Sequence, residues 1–226
     1  MADTDAPASS SRARRVLDGA WISGGLAVLV VSGLIAADGD VDGWERAVFH
    51  AINGLPGWLE GPMRVVELLG ILAVGPVVAV GAFAMKRPRL GVGALVATLA
   101  KLVLERAVKA VVERQRPATS TPDAIARGVP VRGLAFVSGH AVLVAALAGI
   151  ISPYLRGWWK ALPWSALVLV CFARVYLGAH NPLDVVGGTG LGLAIAGGLN
   201  LFLGVPAGGR TPAGDRLGSV EREPGG

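Results

Sequence analysis

A single cysteine, Cys171, excludes an intrachain disulfide. It lies inside an apolar run and reads as a small buried side chain. Charge is also scarce: Asp, Glu, Lys and Arg make up only 16% of the 226 residues, too few for the surface of an ordinary soluble globular domain. No spacing of His, Cys and carboxylate residues resembles a metal-ligand cluster, so neither a metal nor another cofactor is expected. The formal net charge of +5 does not point to nucleic acid, because the basic residues Arg12, Arg14, Arg15, Lys86, Arg87 and Arg89 fall in short segments between apolar runs. At such positions Lys and Arg report helix orientation in a bilayer.

Apolar sequence is what the chain has in excess. Hydrophobic residues make up 53%, glycines number 33 and mean hydropathy is +0.57. Runs of about twenty apolar residues are long enough to cross a bilayer as helices. Six are present, at about Trp21–Ala37, Met63–Met85, Leu90–Val112, Phe136–Tyr154, Ala161–Gly178 and Leu183–Val205. The expected fold is an all-α polytopic membrane protein of six transmembrane helices, with residues 16–206 as one domain. Residues 1–15 and 207–226 are read as disordered cytoplasmic ends, too poor in apolar surface to offset ordering entropy. The first run follows arginines and ends in Ala36-Ala37 like a secretory signal, but it is longer than a signal core and reads as an uncleaved span. In the last run, Gly188, Gly192 and Ala196 form a small-residue stripe suited to close packing within the bundle, or else to a dimer contact.

Basic residues retained on the cytoplasmic side put the 86–89 turn, the 156–160 turn and both chain ends inside, and the loop from Asp38 to Pro62 outside. Residues 41–60 alternate acidic groups with Trp44, Val48, Phe49, Ile52 and Trp58, as in an interfacial amphipathic helix. His50 on this segment has no partner visible in the sequence and reads as structural.

Three polar clusters then fall together at the extracytoplasmic ends of the spans. The first holds Lys109, Arg114 and Arg116-Pro117; an arginine fork matches phosphate oxygens, and a lysine supplies a point charge. Lys101, Glu105 and Lys109 are each four residues apart and share one helix face, with Glu105 as neutralising or orienting partner of the two lysines. Arg106 and Glu113 are left without a role. The second cluster is Ser138-Gly139-His140 at a helix start, where serine caps, backbone N–H groups face an anion and an imidazole in the first turn is placed to donate a proton. The third is Arg174 with His180-Asn181-Pro182-Leu183-Asp184, in which a carboxylate in the first helical turn is placed to orient a nucleophilic imidazole.

Taken in order, Lys109-x6-Arg116-Pro117, Ser138-Gly139-His140 and Arg174-x5-His180-x3-Asp184 resemble the three-part signature of the type 2 phosphatidic acid phosphatase family, membrane relatives of the soluble vanadium haloperoxidases. The resemblance covers the chain from about the third span onward. It implies a metal-independent lipid phosphatase in which His180 attacks phosphorus, Asp184 orients it and His140 protonates the leaving group. It further implies that Lys109, Arg116, Arg174, Ser138 and the Gly139 amide hold the phosphate; Glu105, Lys101 and Arg114 are supporting candidates by their position in the first cluster and on its helix face. Val137 and Ala173 depart from the pattern, standing where the family usually has proline and serine. Expected substrates are a phosphomonoester or the terminal phosphate of a polyprenyl diphosphate, phosphatidylglycerophosphate, phosphatidic acid or a polyprenyl-phosphate sugar phosphate. The other reading of the same pocket is a carrier that binds an anionic lipid without hydrolysing it. A haloperoxidase is disfavoured by the membrane character of the chain.

Overall fold

The computed structural model describes residues 6–204, and among these residues every regular element is helical. The α-helices are α1 (Ala6–Ala36), α2 (Gly43–Asn53), α3 (Glu60–Glu67), α4 (Val74–Ala84), α5 (Pro88–Val111), α6 (Pro117–Ser120), α7 (Gly139–Ile151), α8 (Ala161–Tyr176) and α9 (Pro182–Leu203). Helix α1 starts at Ala6, inside the segment read from composition as disordered, because its alanines and arginines are good helix formers. The 207–226 tail and the last residue of the sixth expected span, Val205, lie outside the described residues.

Helix α7 is the centre. From Ala141 to Ile150 every residue is buried, so the helix is apolar on all faces and has no lipid-facing or water-facing side. Its Val142, Leu143, Ala146, Leu147 and Ile150 form one core with Ala94 and Ala97 of α5 and with Leu191, Ile195 and Ala196 of α9. The glycine stripe of α9 makes this packing close. A Cβ on Gly188 would strike the Ser138 carbonyl and Ala141, and one on Gly190 would strike the Gly25 carbonyl of α1. Small residues on two faces of α9 therefore seat α7 on one side and α1 on the other. On the outside of the bundle, Val92, Leu95, Val96, Leu99 and Val103 of α5 are exposed in a continuous apolar strip.

By length and composition, Arg15–Ala36 and Pro182–Leu203 are able to cross a membrane. The second expected span is not one helix. It is broken between Gly70 and Val74, and its two parts, Gly57–Gly70 and Val74–Ala84, are bent by 60° and make a third span only if read together. Pro76 explains the break: it lacks an N–H and fits the first turn of a new helix better than the interior of a continuous one. Helix α5 is long enough at 24 residues but carries Lys101, Glu105, Arg106 and Lys109, whereas α7 and α8 are short at 13 and 16 residues.

The segment expected as an interfacial helix is amphipathic in the opposite sense to a simple membrane-surface helix. Its buried face is Glu45, Phe49 and Asn53, while Trp44 and Val48 are exposed. Asn53 explains part of this inversion. Its Nδ2 donates to the carbonyls of Ile125 and Tyr176, both at 2.9 Å, and its Oδ1 accepts from Ile125 N–H at 2.9 Å. Arg127 Nη1 donates to the same Tyr176 carbonyl at 2.7 Å and stacks over the Tyr176 ring. The C-terminal end of α2 and the long loop before α7 are thereby fixed to the C-terminus of α8.

Candidate active site

The three polar clusters converge. Lys109 ends α5, Arg116 is the residue before α6, Gly139 and His140 open α7, Arg174 lies in the last turn of α8 and His180 sits in the short turn into α9. Side chains or backbone of all six line one cavity of about 370 Å³ at the same end of the bundle, together with Lys101, Glu105 and Glu67. The loop residues Gly128, Val129 and Pro130 close one side, and Leu68 and Ile71, at the break in the second span, form an apolar wall.

Each cation is anchored by a neighbouring group. Lys109 Nζ is 2.6 Å from Glu105 Oε1 and Lys101 Nζ is 2.8 Å from Glu105 Oε2, which realises the ladder expected from the four-residue spacing. Arg116 Nη1 donates to the Ala179 carbonyl at 3.0 Å, and Arg174 Nη1 is paired with Glu67. Buried Nε atoms of both arginines have no hydrogen-bond partner, and neither does the buried hydroxyl of Ser138. Buried donors normally find acceptors; these three belong to residues expected to hold phosphate, while Arg114 Nε, behind the cavity, and His180 Nδ1 are likewise without a partner. The bare backbone of Gly139 lets the Glu105 carboxylate lie against the start of α7, in space a Cβ would share. That contact brings an anionic group up to the N-terminus of α7, where helix ends favour negative charge.

Ser138 occupies the position before α7, but its side chain does not cap the helix. Its backbone N–H donates to the Asp184 carbonyl at 2.9 Å, tying the start of α7 to the first turn of α9.

His180 is buried at 2% exposure, and its Nδ1 lies 3.6 Å from Asp184 Oδ2. This is adjacent but longer than a hydrogen bond. The expected orienting bond is not closed because the carboxylate is held by other donors. Asp184 Oδ2 accepts Asn181 N–H at 2.8 Å in a capping box, and Oδ1 faces Arg114 Nη1 at 3.4 Å. Burial, reinforced by Arg174, Arg116 and Lys109, holds the His180 imidazole well below its ordinary pKa of 6.5. The unprotonated form therefore persists into acid solution. The acid limb of the pH–rate profile should have its midpoint well below 6.5, and a midpoint at or above that value would contradict a neutral, buried His180.

Arg114 corrects one expectation. Rather than facing the phosphate pocket, its side chain is wholly buried behind it, paired with Glu45 and Asp184, and its Nη2 donates to the Asp40 carbonyl at 3.0 Å. Glu45 Oε1 also accepts Leu183 N–H at 2.8 Å, at the start of α9. A carboxylate–guanidinium–carboxylate relay thus links α2 to the residue beside His180. Sequence reasoning missed Glu45 and Glu67. The only signals were a carboxylate on the apolar face of α2 and a lone carboxylate within an apolar run.

The fold and family of the chain are those of a phosphatase. Residues 90–204, just over half of the chain, match the PAP2 superfamily, and the chain belongs to that family. Its structure is similar to the PAP2-type phosphatidylglycerolphosphate phosphatase from Bacillus subtilis, with a TM-score of 0.63 and 23% identity over 79% of this chain and 95% of that one. It is also similar to LpxE of Aquifex aeolicus, with a TM-score of 0.61 and 25% identity over 69% of this chain and 93% of that one.

Proposed function

We propose that the protein is an integral-membrane lipid phosphatase that removes a terminal phosphate through a phosphohistidine, with fixed cations in place of a metal. The observation that carries this reading is that His180 and His140 both line the cavity that Lys109, Arg116 and Arg174 surround with positive charge. His180 Nε2 attacks phosphorus, and the bond to the leaving oxygen breaks as that oxygen takes a proton from His140. Neutral His140 then removes a proton from water, which attacks the phosphohistidine and frees inorganic phosphate. Lys109, Arg116, Arg174, Ser138 and the Gly139 amide gain most from the charge of the five-coordinate phosphorus, and such preorganised donors commonly provide the largest share of catalysis.

The substrate keeps its tail in the bilayer and enters sideways along Leu68 and Ile71. Helices α5, α7 and α8 complete a six-span bundle, with Lys101, Glu105 and Lys109 of α5 paired with one another towards the cavity. Lys86 and Arg87 before α5, Arg89 in its first turn, and Arg156 and Lys160 between α7 and α8 lie at the end away from the cavity, which fits a cell-membrane protein with the site on the extracytoplasmic side.

The test is phosphate release by the purified protein in detergent with EDTA, using phosphatidic acid, phosphatidylglycerophosphate and polyprenyl diphosphates. Release from at least one lipid, inhibited by vanadate as a trigonal-bipyramidal mimic, is expected. Silence across the panel, or a strict metal requirement, would overturn the reading.

A further inference from the structure

One concentration of charge in the cavity is not used by these roles. Lys101 precedes Lys109 by eight residues on α5, about 12 Å along the axis towards the membrane interior. Its ammonium nevertheless returns to the same carboxylate: Glu105 holds Lys101 at 2.8 Å and Lys109 at 2.6 Å, one on each oxygen. All three line the cavity, and their side chains are only 14 to 19% exposed. A Glu105–Lys109 pair alone would be neutral. The second lysine leaves an excess positive charge at membrane depth, where an uncompensated charge is costly and generally serves a ligand. Each ammonium has three N–H donors and gives one to Glu105, so donors remain for a second anion.

The direction of the lipid fixes which anion that is. Leu68 and Ile71 face the cavity, and the adjacent Leu69 and Leu72 are 45% and 43% exposed, so this wall continues onto the apolar surface of the bundle. Lys101 lines the same cavity as His180 and stands deeper along α5 than Lys109, so a lipid with its terminal phosphate at His180 and its tail in the bilayer has Lys101 on its lipid side.

We propose that Lys101, positioned by Glu105, forms a second anion subsite that binds the phosphate on the lipid side of the scissile bond and so favours diphosphate lipids over monophosphates. This rests on the phosphatase reading above. With a diphosphate, His180 Nε2 bonds to the terminal phosphorus while the bond to the bridging oxygen breaks. That oxygen keeps the electron pair and departs as a lipid monophosphate whose new charge is next to Lys101. With a monophosphate the leaving group is an alkoxide, which takes its proton from His140 and gains little from Lys101.

The experiment has a turnover arm and a binding arm. Farnesyl diphosphate and farnesyl monophosphate are compared as substrates, and farnesyl methylenediphosphonate and farnesylphosphonate are compared by calorimetry, with the detergent-purified wild type, Lys101→Met and Lys101→Arg. The wild type should bind the diphosphonate at least about tenfold tighter than the monophosphonate. Lys101→Met should shrink that gap, and shrink the diphosphate-to-monophosphate ratio of kcat/KM, by about tenfold, with Lys101→Arg restoring most of both. Equal wild-type affinities for the two phosphonates, or ratios unchanged by Lys101→Met, would overturn the subsite. If Lys101→Met fails to fold, the wild-type affinities decide. A wild type that binds the diphosphonate more tightly yet turns over neither substrate would leave the subsite standing and refute the phosphatase.

Discussion

His180→Ala is expected to lower kcat by about 10⁴-fold while changing the affinity for a lipid phosphate by no more than about threefold. The asymmetry follows from the geometry. His180 is the buried imidazole between Arg174, Arg116 and Asp184, so its loss removes the attacking nitrogen. The groups that hold the phosphate belong to other elements and are anchored independently, Lys109 by Glu105, Arg116 by the Ala179 carbonyl and Arg174 by Glu67. Binding measured with a non-hydrolysable phosphonate and turnover measured by phosphate release separate the two effects. A variant that still hydrolyses lipid within about tenfold of the wild type would place the nucleophile elsewhere. A wild type that binds and moves lipid phosphates without releasing phosphate, unaffected by the substitution, would favour the carrier.

Arg114→Met is expected to destabilise the protein by about 3–5 kcal/mol, the usual cost of removing one partner from a buried charge group, and to abolish most activity. Arg114, Glu45 and Asp184 have side chains with 0% exposure. Without the guanidinium, two carboxylates face each other in a site with no water-exposed route for their charge, and Asp184 loses its hold beside His180. Thermal unfolding in detergent should show the loss of stability. The double variant Arg114→Met, Glu45→Leu should recover part of it, because a neutral apolar pair replaces a broken ionic one, while activity stays low because Asp184 still has no cation. Unchanged melting and turnover in Arg114→Met would show that the relay from α2 to α9 is incidental.

The parts of the site that were legible in the sequence are those encoded within one helix or at one helix end. The spacing Lys101, Glu105, Lys109 gives a ladder on any α-helix, and Asn181-Pro182 marks the start of α9 with Asp184 in its first turn, although the sequence assigns Asp184 to His180 and its Oδ2 accepts Asn181 N–H. The convergence of three clusters followed from placing apolar runs across a bilayer, since each cluster ends or starts a run. What was not legible came from pairs distant in sequence. Glu45 meets Arg114 across 69 residues, and Glu67 meets Arg174 across 107, and no local period announces either contact.

Helix α2 shows why local pattern misleads at such places. Of the apolar residues that invited a face turned to the interface, Trp44 and Val48 of α2 and Trp58 beyond it are exposed, but Phe49 is buried and shares the inner side with Glu45 and Asn53, each of which satisfies groups that would otherwise be buried without partners. The broken second span is a similar case. Apart from Arg64 and Glu67 the run 63–85 carries no charge, and Pro76, a residue that cannot donate to the preceding turn, marks the restart of the helix. The two departures from the family pattern, Val137 and Ala173, are both fully buried, Val137 following a cis peptide bond and Ala173 lying one residue before Arg174.

The most direct test of the central claim is to quench the wild-type protein during turnover of a lipid substrate labelled in its terminal phosphate and to map the label by mass spectrometry under alkaline conditions that preserve phosphohistidine. The account predicts a phosphoryl group on His180, accumulating further when His140 is replaced by Ala because water is no longer activated to remove it. Turnover with no covalent phosphate on the protein, or with the phosphate on another residue, would contradict it.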